Sequence, residues 1–214
     1  MLFERKKICG VLLAGGQSRR MGGGDKCLLP LGGKELLQRI VDTAAPQVGP
    51  LMLNTNSDPA KFESYSLPVA SDAVEGFAGP LAGVLTGLEW ARANTPECDW
   101  VASFACDAPF APVDLVVRLA SAIEAVGADM ACATSGGRDH PVFALWPVRL
   151  AAELRASIVD EGLRKVDIWT ARYTLARAEF DTKGCDPFFN INRPEDLDAA
   201  ADMVRRNLDG QRSK

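Results

Sequence analysis

The sequence predicts an α/β fold: a mostly parallel, mixed β-sheet covered by helices on both faces. Three observations carry the prediction. Short apolar runs alternate with stretches of helical periodicity along nearly the whole chain. Several of those apolar runs finish on asparagine, aspartate or glycine. Two strand-like runs also flank Ser135-Gly136-Gly137-Arg138-Asp139, a hairpin-like turn that adds an antiparallel strand.

The first strand is expected at Ile8-Cys9-Gly10-Val11, running into a glycine-rich loop that ends at Lys26. Gly32-Gly33 marks a turn. Residues 35–45 place leucines, Ile40 and Val41 at helical spacing and stop at Pro46. Residues 51–56 and 67–72 read as the next two strands, each ending on polar side chains. A second glycine loop, Gly76 to Gly83, opens a helix expected over 84–93. Residues 100–107 form the most apolar strand. Pro109 and Pro112 then punctuate the start of a helix over 113–126. Strands follow at 129–133 and 142–146, with His140-Pro141 in the turn region between them. Residues 150–158 and 162–170 are amphipathic helices, 173–180 a final strand and 186–192 a loop. The last helix is expected from 193 to 208, with residues 210–214 a frayed tail. No repeat, low-complexity run or linker-like shift interrupts the chain, so residues 1–214 are expected to form one domain.

Bulk properties narrow the function. The chain has 214 residues, 47% of them hydrophobic and 24% charged, enough for one substantial core. A net charge of −4 argues against a broad nucleic-acid surface. No apolar run approaches the roughly 20 residues of a membrane helix, and the charged N-terminus is unlike a signal peptide. The six cysteines form no C-x-x-C pair, which points to free, mostly buried thiols in a reducing cytoplasm rather than a zinc site.

The chemistry is expected at the carboxyl ends of the parallel strands, where ligands bind in such sheets. Gly15, Asn54, Asp72 and Asp107 all fall at such ends. The first loop joins glycines to Arg19, Arg20 and Lys26, the composition of a phosphate cradle. It lacks both G-x-x-x-x-G-K-[ST] and G-x-G-x-x-G, so it is neither an ordinary P-loop nor a dinucleotide fingerprint. Asp107 is placed to bind a Mg²⁺ that bridges phosphate oxygens, although it also reads as a cap of the next helix. Asn54 and Asp72 are candidates for base or ribose contacts, and Asp72 also reads as an ordinary strand-ending turn residue. His140 is the single histidine, so no Ser-His-Asp or Cys-His arrangement forms without it.

Four ordered segments carry a resemblance. Residues 13–26 follow L-A-G-G-x-S-x-R-M-G…D-K, with Ser18, Arg20 and Met21 on S-x-R-M. Gly79-Pro80-Leu81-Ala82-Gly83 follows G-P-L-A-G, Cys106-Asp107-Ala108-Pro109 follows C-D-x-P, and residues 190–197 follow N-x-N-x-P-E-D-L. Together these resemble the molybdenum cofactor guanylyltransferase family of MobA-type nucleotidyltransferases, over residues 9–208. The resemblance implies a three-layer α/β/α sandwich, a Rossmann-like nucleotidyltransferase fold. Residues 8–110 would form its nucleotide-binding half and residues 111–208 its pterin half. It implies a Mg²⁺-dependent transfer of GMP from GTP to the terminal phosphate of Mo-molybdopterin, with release of pyrophosphate. The implied catalytic residues are Lys26, Asp107 and Arg20. The implied nucleotide-binding residues are Leu13, Ala14, Gly15, Gly16, Lys26, Asn54, Asp72, Gly79, Pro80, Leu81 and Asp107, with Asp107 the metal ligand. Asn190, Asn192 and His140 would meet the pterin, and either asparagine could complete the metal shell. Asn190 is the favoured one, because Asn192 also reads as the cap of the last helix. Transient contacts with cofactor-insertion and chaperone proteins are a further implication. The alternatives are a cytidylyltransferase on the same pterin, a sugar-phosphate nucleotidyltransferase, and a non-catalytic nucleotide-binding protein.

Overall fold

The computed structural model describes residues 3–15, 24–76 and 79–212. Its centre is a seven-stranded sheet in the order β5-β4-β1-β6-β8-β7-β9. The strands are β1 (Ile8–Leu13), β4 (Leu51–Asn54), β5 (Val69–Ala70), β6 (Trp100–Ala105), β7 (Met130–Ser135), β8 (Arg138–Pro147) and β9 (Leu175–Phe180). A separate hairpin pairs β2 (Pro30–Leu31) with β3 (Lys34–Glu35). In the large sheet β8 alone, among the described residues, runs antiparallel to its neighbours.

Alternation along the strands sends side chains to two cores, one on each face. On one face Ile8 and Leu12 of β1 pack in a cluster with α1 (Leu36–Ala44) and α3 (Leu115–Val126). On the other, Cys9 and Val11 pack with α2 (Pro80–Asn94), α4 (Ala151–Val159) and α5 (Val166–Thr170). The expected three-layer architecture is thus the observed one. The last helix, α6 (Pro194–Arg212), returns to the N-terminal part of the chain. There Ala200 and Val204 join Leu31, Leu36 and Ile191 in a third, smaller core.

Glycines set two of the close approaches. Gly32 and Gly33, at φ of 57° and 83°, make the β2–β3 turn, and a Cβ on Gly32 would lie 2.7 Å from Val204. Gly87 of α2 lets the helix settle on β1, since a Cβ there would lie 2.9 Å from Val11.

Several boundaries differ from expectation. α2 starts at Pro80 rather than at 84, so Pro80 to Gly83 are helical, with proline in the first turn where its missing N–H costs nothing. β5 is confined to Val69–Ala70, with Asp72 in the loop beyond it. His140 and Pro141 lie within β8 rather than in a turn. A bulge there, opposite Cys132 and Ala133, takes the proline out of the regular ladder. α6 continues to Arg212, past the expected end at 208.

Candidate active site

Strand register brings the predicted residues to one edge. Leu13 pairs with both Asn54 and Ala105, and Asn54 pairs with Ala70, so four parallel strands end on one line. Backbone bonds carry the pairing further: Ala14 N–H to Asn54 O at 2.9 Å, Cys106 N–H to Leu13 O at 3.1 Å, and Thr55 N–H to Ala70 O at 3.0 Å. Gly15, Asp72 and Asp107 each follow two residues beyond this line. Gly15 is exposed, with open space where a Cβ would stand.

Lys26 opens a short 3₁₀ turn, Lys26–Leu28, after the first loop. Its Nζ donates to Asp107 Oδ2 at 2.7 Å and to Asn192 Oδ1 at 2.9 Å. Three distant segments therefore converge on one ammonium group, with the Lys26 and Asp107 side chains 19% and 26% exposed. The loop carrying Asn192 is pinned to the same strand end, because Ile191 is buried and its N–H donates to Asp107 O at 2.8 Å.

The structure settles two of the competing roles. Asp107 does not cap the following helix, which starts at Leu115 after Asp114. Asn192 does not cap α6 with its side chain, which meets Lys26 instead. Asp196 reaches back to accept from the Asn192 and Arg193 N–H groups at 2.8 and 2.9 Å. Asn192, rather than the favoured Asn190, is thus the asparagine brought to Lys26; Asn190 is exposed on the same loop.

Asp25 is a residue that sequence reasoning left without a role. Its carboxylate, 10% exposed, accepts from Ser57 Oγ and from Lys61 Nζ at 2.7 Å, tying the start of the Lys26 turn to the segment after β4. Burial works against its ionisation, but the bonds from Lys61 and Ser57 outweigh it and hold the carboxyl below its usual range. The signal was the acidic residue next to Lys26 in the motif.

Beyond β5, Asp72 is braced on both oxygens. Asn54 Nδ2 donates to Oδ1 at 3.0 Å and Asn56 Nδ2 to Oδ2 at 2.8 Å, while Asp72 N–H donates to Asn56 Oδ1 at 2.8 Å. Asn54 is buried, and Gly83 of α2 makes room for it: a Cβ there would lie 2.4 Å from Asn54 Oδ1 and 2.7 Å from Leu13 Cδ2. The final glycine of the G-P-L-A-G segment is therefore required by the seat of Asn54. Gly79 and Pro80 are exposed at the start of α2, whereas the Leu81 side chain is buried in the core.

His140 is buried, with its ring centroid 4.6 Å from that of Phe188 and its Nε2 2.7 Å from Ser135 Oγ. Gly16 and Arg20 lie outside the described residues, as do Ser18, Arg19 and Met21.

A hard divalent cation suits the oxygen donors gathered around Lys26, a carboxylate and an amide carbonyl. Among the described residues no three His, Cys, Asp or Glu side chains converge on a metal position. A cation at Asp107 would therefore draw most of its ligands from substrate phosphates and water, which is the habit of Mg²⁺.

Residues 10–173 match the model of the MobA-like NTP transferase domain. The chain belongs to that family. This MobA-like transferase is 52% identical, over 94% of its length and 98% of the relative's, to the molybdenum cofactor guanylyltransferase of Mesorhizobium japonicum. It is 51% identical to the protein of that name from Rhodopseudomonas palustris, over 92% and 94% of the two chains. Among solved structures it resembles molybdopterin-guanine dinucleotide biosynthesis protein A from Archaeoglobus fulgidus. The TM-score is 0.72 at 23% identity, covering 92% of this chain and 99% of that one, a likeness of fold. The domain match spans Lys26 and Asp107 and stops before Asn192.

Proposed function

We propose that this MobA-like transferase binds GTP across the carboxyl edge of its sheet and transfers GMP to the terminal phosphate of Mo-molybdopterin. The observation that carries the proposal is the 2.7 Å contact between Lys26 and Asp107, with Asn192 on the same ammonium. A cation and an acid from segments 81 residues apart meet where the strands end. The guanylyl group and the pterin come from the names of the relatives.

In this reading the backbone of Leu13, Ala14 and Gly15 and the start of α2 at Gly79, Pro80 and Leu81 line the nucleotide, and Gly16 is assigned there on its motif alone. The two braced oxygens of Asp72 each retain a free lone pair, which suits acceptance from the N1–H and N2–H₂ groups of guanine. Cytosine and adenine offer no such pair of adjacent donors, so the pocket leaves the wrong base unpaired. Asn54 orients Asp72. Lys26 neutralises the triphosphate, and Arg20 is assigned to phosphate on its motif alone. Asp107 would hold Mg²⁺, which when bound supplies charge neutralisation at the phosphate oxygens.

An oxygen of the pterin's terminal phosphate attacks the α-phosphorus of GTP. The bond from that phosphorus to the bridging oxygen breaks, and pyrophosphate leaves with the electron pair. The attacking phosphate is already ionised near neutrality, so neither a general base nor a general acid is required. What the protein contributes is alignment and charge. Residues 8–110 serve the nucleotide and residues 111–208 the pterin, with Asn190, Asn192 and His140 on the pterin side. The reading keeps the reaction in a reducing cytoplasm, in line with the six free cysteines, and keeps transient contact with insertion and chaperone proteins as an implication of the family. Among the described residues no helix is long and apolar enough to cross a membrane.

The test is incubation with each radiolabelled NTP, Mg²⁺ and Mo-molybdopterin. GMP is expected in the product, and incorporation of CMP instead would overturn the assignment. Asp107→Ala should retain weak GTP binding and lose turnover; unchanged turnover would remove Asp107 from the metal role.

A further inference from the structure

The segment between β9 and α6 carries Asn192 to Lys26, and a largely buried polar cluster farther along the same carboxyl edge, at the end of β7, holds its beginning. Asp186 Oδ1 accepts from Ser135 Oγ at 2.9 Å and from Phe188 N–H at 3.0 Å. Phe189 N–H closes a turn onto Asp186 O at 3.1 Å. Ser135 Oγ also lies 2.7 Å from His140 Nε2. A hydroxyl has one proton, and an ionised carboxylate can only accept it. Ser135 therefore donates to Asp186, and His140 donates its Nε2–H to Ser135. The order of donation is His140 to Ser135 to Asp186.

His140 also helps to frame an aromatic seat. Phe188 is buried, with ring centroids 4.6 Å from His140, 4.8 Å from Phe143 and 5.3 Å from Phe180. Asp186 thus fixes the strap at the β7–β8 hairpin, Phe188 plugs it into the core, and Ile191 fixes it to the Asp107 carbonyl. Asn190 and Asn192 flank the last of these anchors.

We propose that Ser135, His140 and Asp186 are positioning residues for the second substrate: they act through the 186–192 strap to present Asn190 and Asn192 to the pterin. The proposal rests on the reading above for what those asparagines meet. His140 takes part without touching substrate, which is how one buried histidine serves a reaction that needs no general base.

Ser135→Ala removes both hydroxyl bonds at little cost in volume. In the ligand-free variant, hydrogen exchange should quicken at residues 188–192 while β1 and α2 exchange as before. In steady state with GTP and Mo-molybdopterin, the KM for the pterin should rise about tenfold, and the KM for GTP, reached only through the Asn192 bond to Lys26, should rise less. His140→Ala should behave alike. His140→Gln, whose amide can donate to Ser135, should recover most of the loss. Asp186→Asn, which keeps an acceptor but not its charge, should shift both readouts in the same direction by less. It carries the test if Ser135→Ala fails to fold. Unchanged exchange at 188–192, or equal rises in both KM values, would overturn the proposal. If the wild-type protein makes no dinucleotide, the functional reading fails, and the exchange measurement still decides whether the cluster holds the strap.

Discussion

His140 shows what burial does to a single titratable group. Burial lowers its pKa below the ordinary 6.5; the carboxylate of Asp186 opposes the shift, Arg138 reinforces it, and Asp139 and Glu179 act more weakly against it. The folded protein therefore takes up this proton at lower pH than the unfolded chain does. Below 6.5 the unfolded state binds more protons, so stability falls as the pH drops through 6.5 and levels off below the folded-state value. Urea midpoints at pH 7.5 and 5.5 measure this. The wild-type midpoint should fall more than that of His140→Gln, whose side chain does not titrate. Equal falls would show that the ring ionises as freely folded as unfolded. At this scale Lys26 and Asp107 were legible, since each sits in an ordered motif and has a charge suited to phosphate or metal. Asn192 was harder to place. A helix-start asparagine normally caps with its own oxygen, and nothing in the linear order says that Asn192 turns its side chain to Lys26 while its N–H is taken by Asp196.

Elements carry the site through their packing. α2 lies close enough to β1 and β4 that Gly83 and Gly87 have no room for a methyl group. Gly83→Ala would press a Cβ to within 2.4 Å of Asn54 Oδ1 and 2.7 Å of Leu13 Cδ2. Relief requires Asn54 to rotate away from Asp72 or α2 to lift. The expected cost is about 1–3 kcal/mol of stability. It should come with weaker GTP binding, because the Asp72 brace loses one arm. Isothermal titration and thermal unfolding check the two effects together, and a variant with wild-type GTP affinity would show that Asn54 does not set the pocket. The strand and helix periods revealed most of the order of elements, because nearly every strand is a short buried run bounded by a turn residue. They misplaced the start of α2, since the glycines of G-P-L-A-G read as loop until the contacts of Gly83 with Asn54 and Leu13 are known. They missed the bulge in β8, since a proline inside a strand argues for a turn when the partner strand is not in view.

Across the whole molecule, the chain closes on itself at the active edge. The sheet runs from β5 at one side to β9 at the other, yet α6 crosses back from β9 to cover the β2–β3 hairpin and α1. That return path is what carries Asn192 across the end of β6. The linear sequence shows an amphipathic last helix but not its destination, because the contact between Val204 and Gly32 joins positions 172 residues apart (204 − 32). The third core is small, so it has little apolar area to lose. Val204 is 8% exposed. Val204→Asp would place a carboxylate against Leu31, Leu36 and the glycine turn; a charge there is unpaired or forces the helix outward. The expected result is release of α6 before the main sheet melts, because the two large cores lie on the faces of that sheet and do not include α6. Circular dichroism should show a minor early loss of helix and a main transition near that of the wild type. Turnover should fall at temperatures between the two, while GTP binding through the β1 and β4 ends persists. A single cooperative transition shifted as a whole would instead show that the returning helix and the sheet stand or fall together.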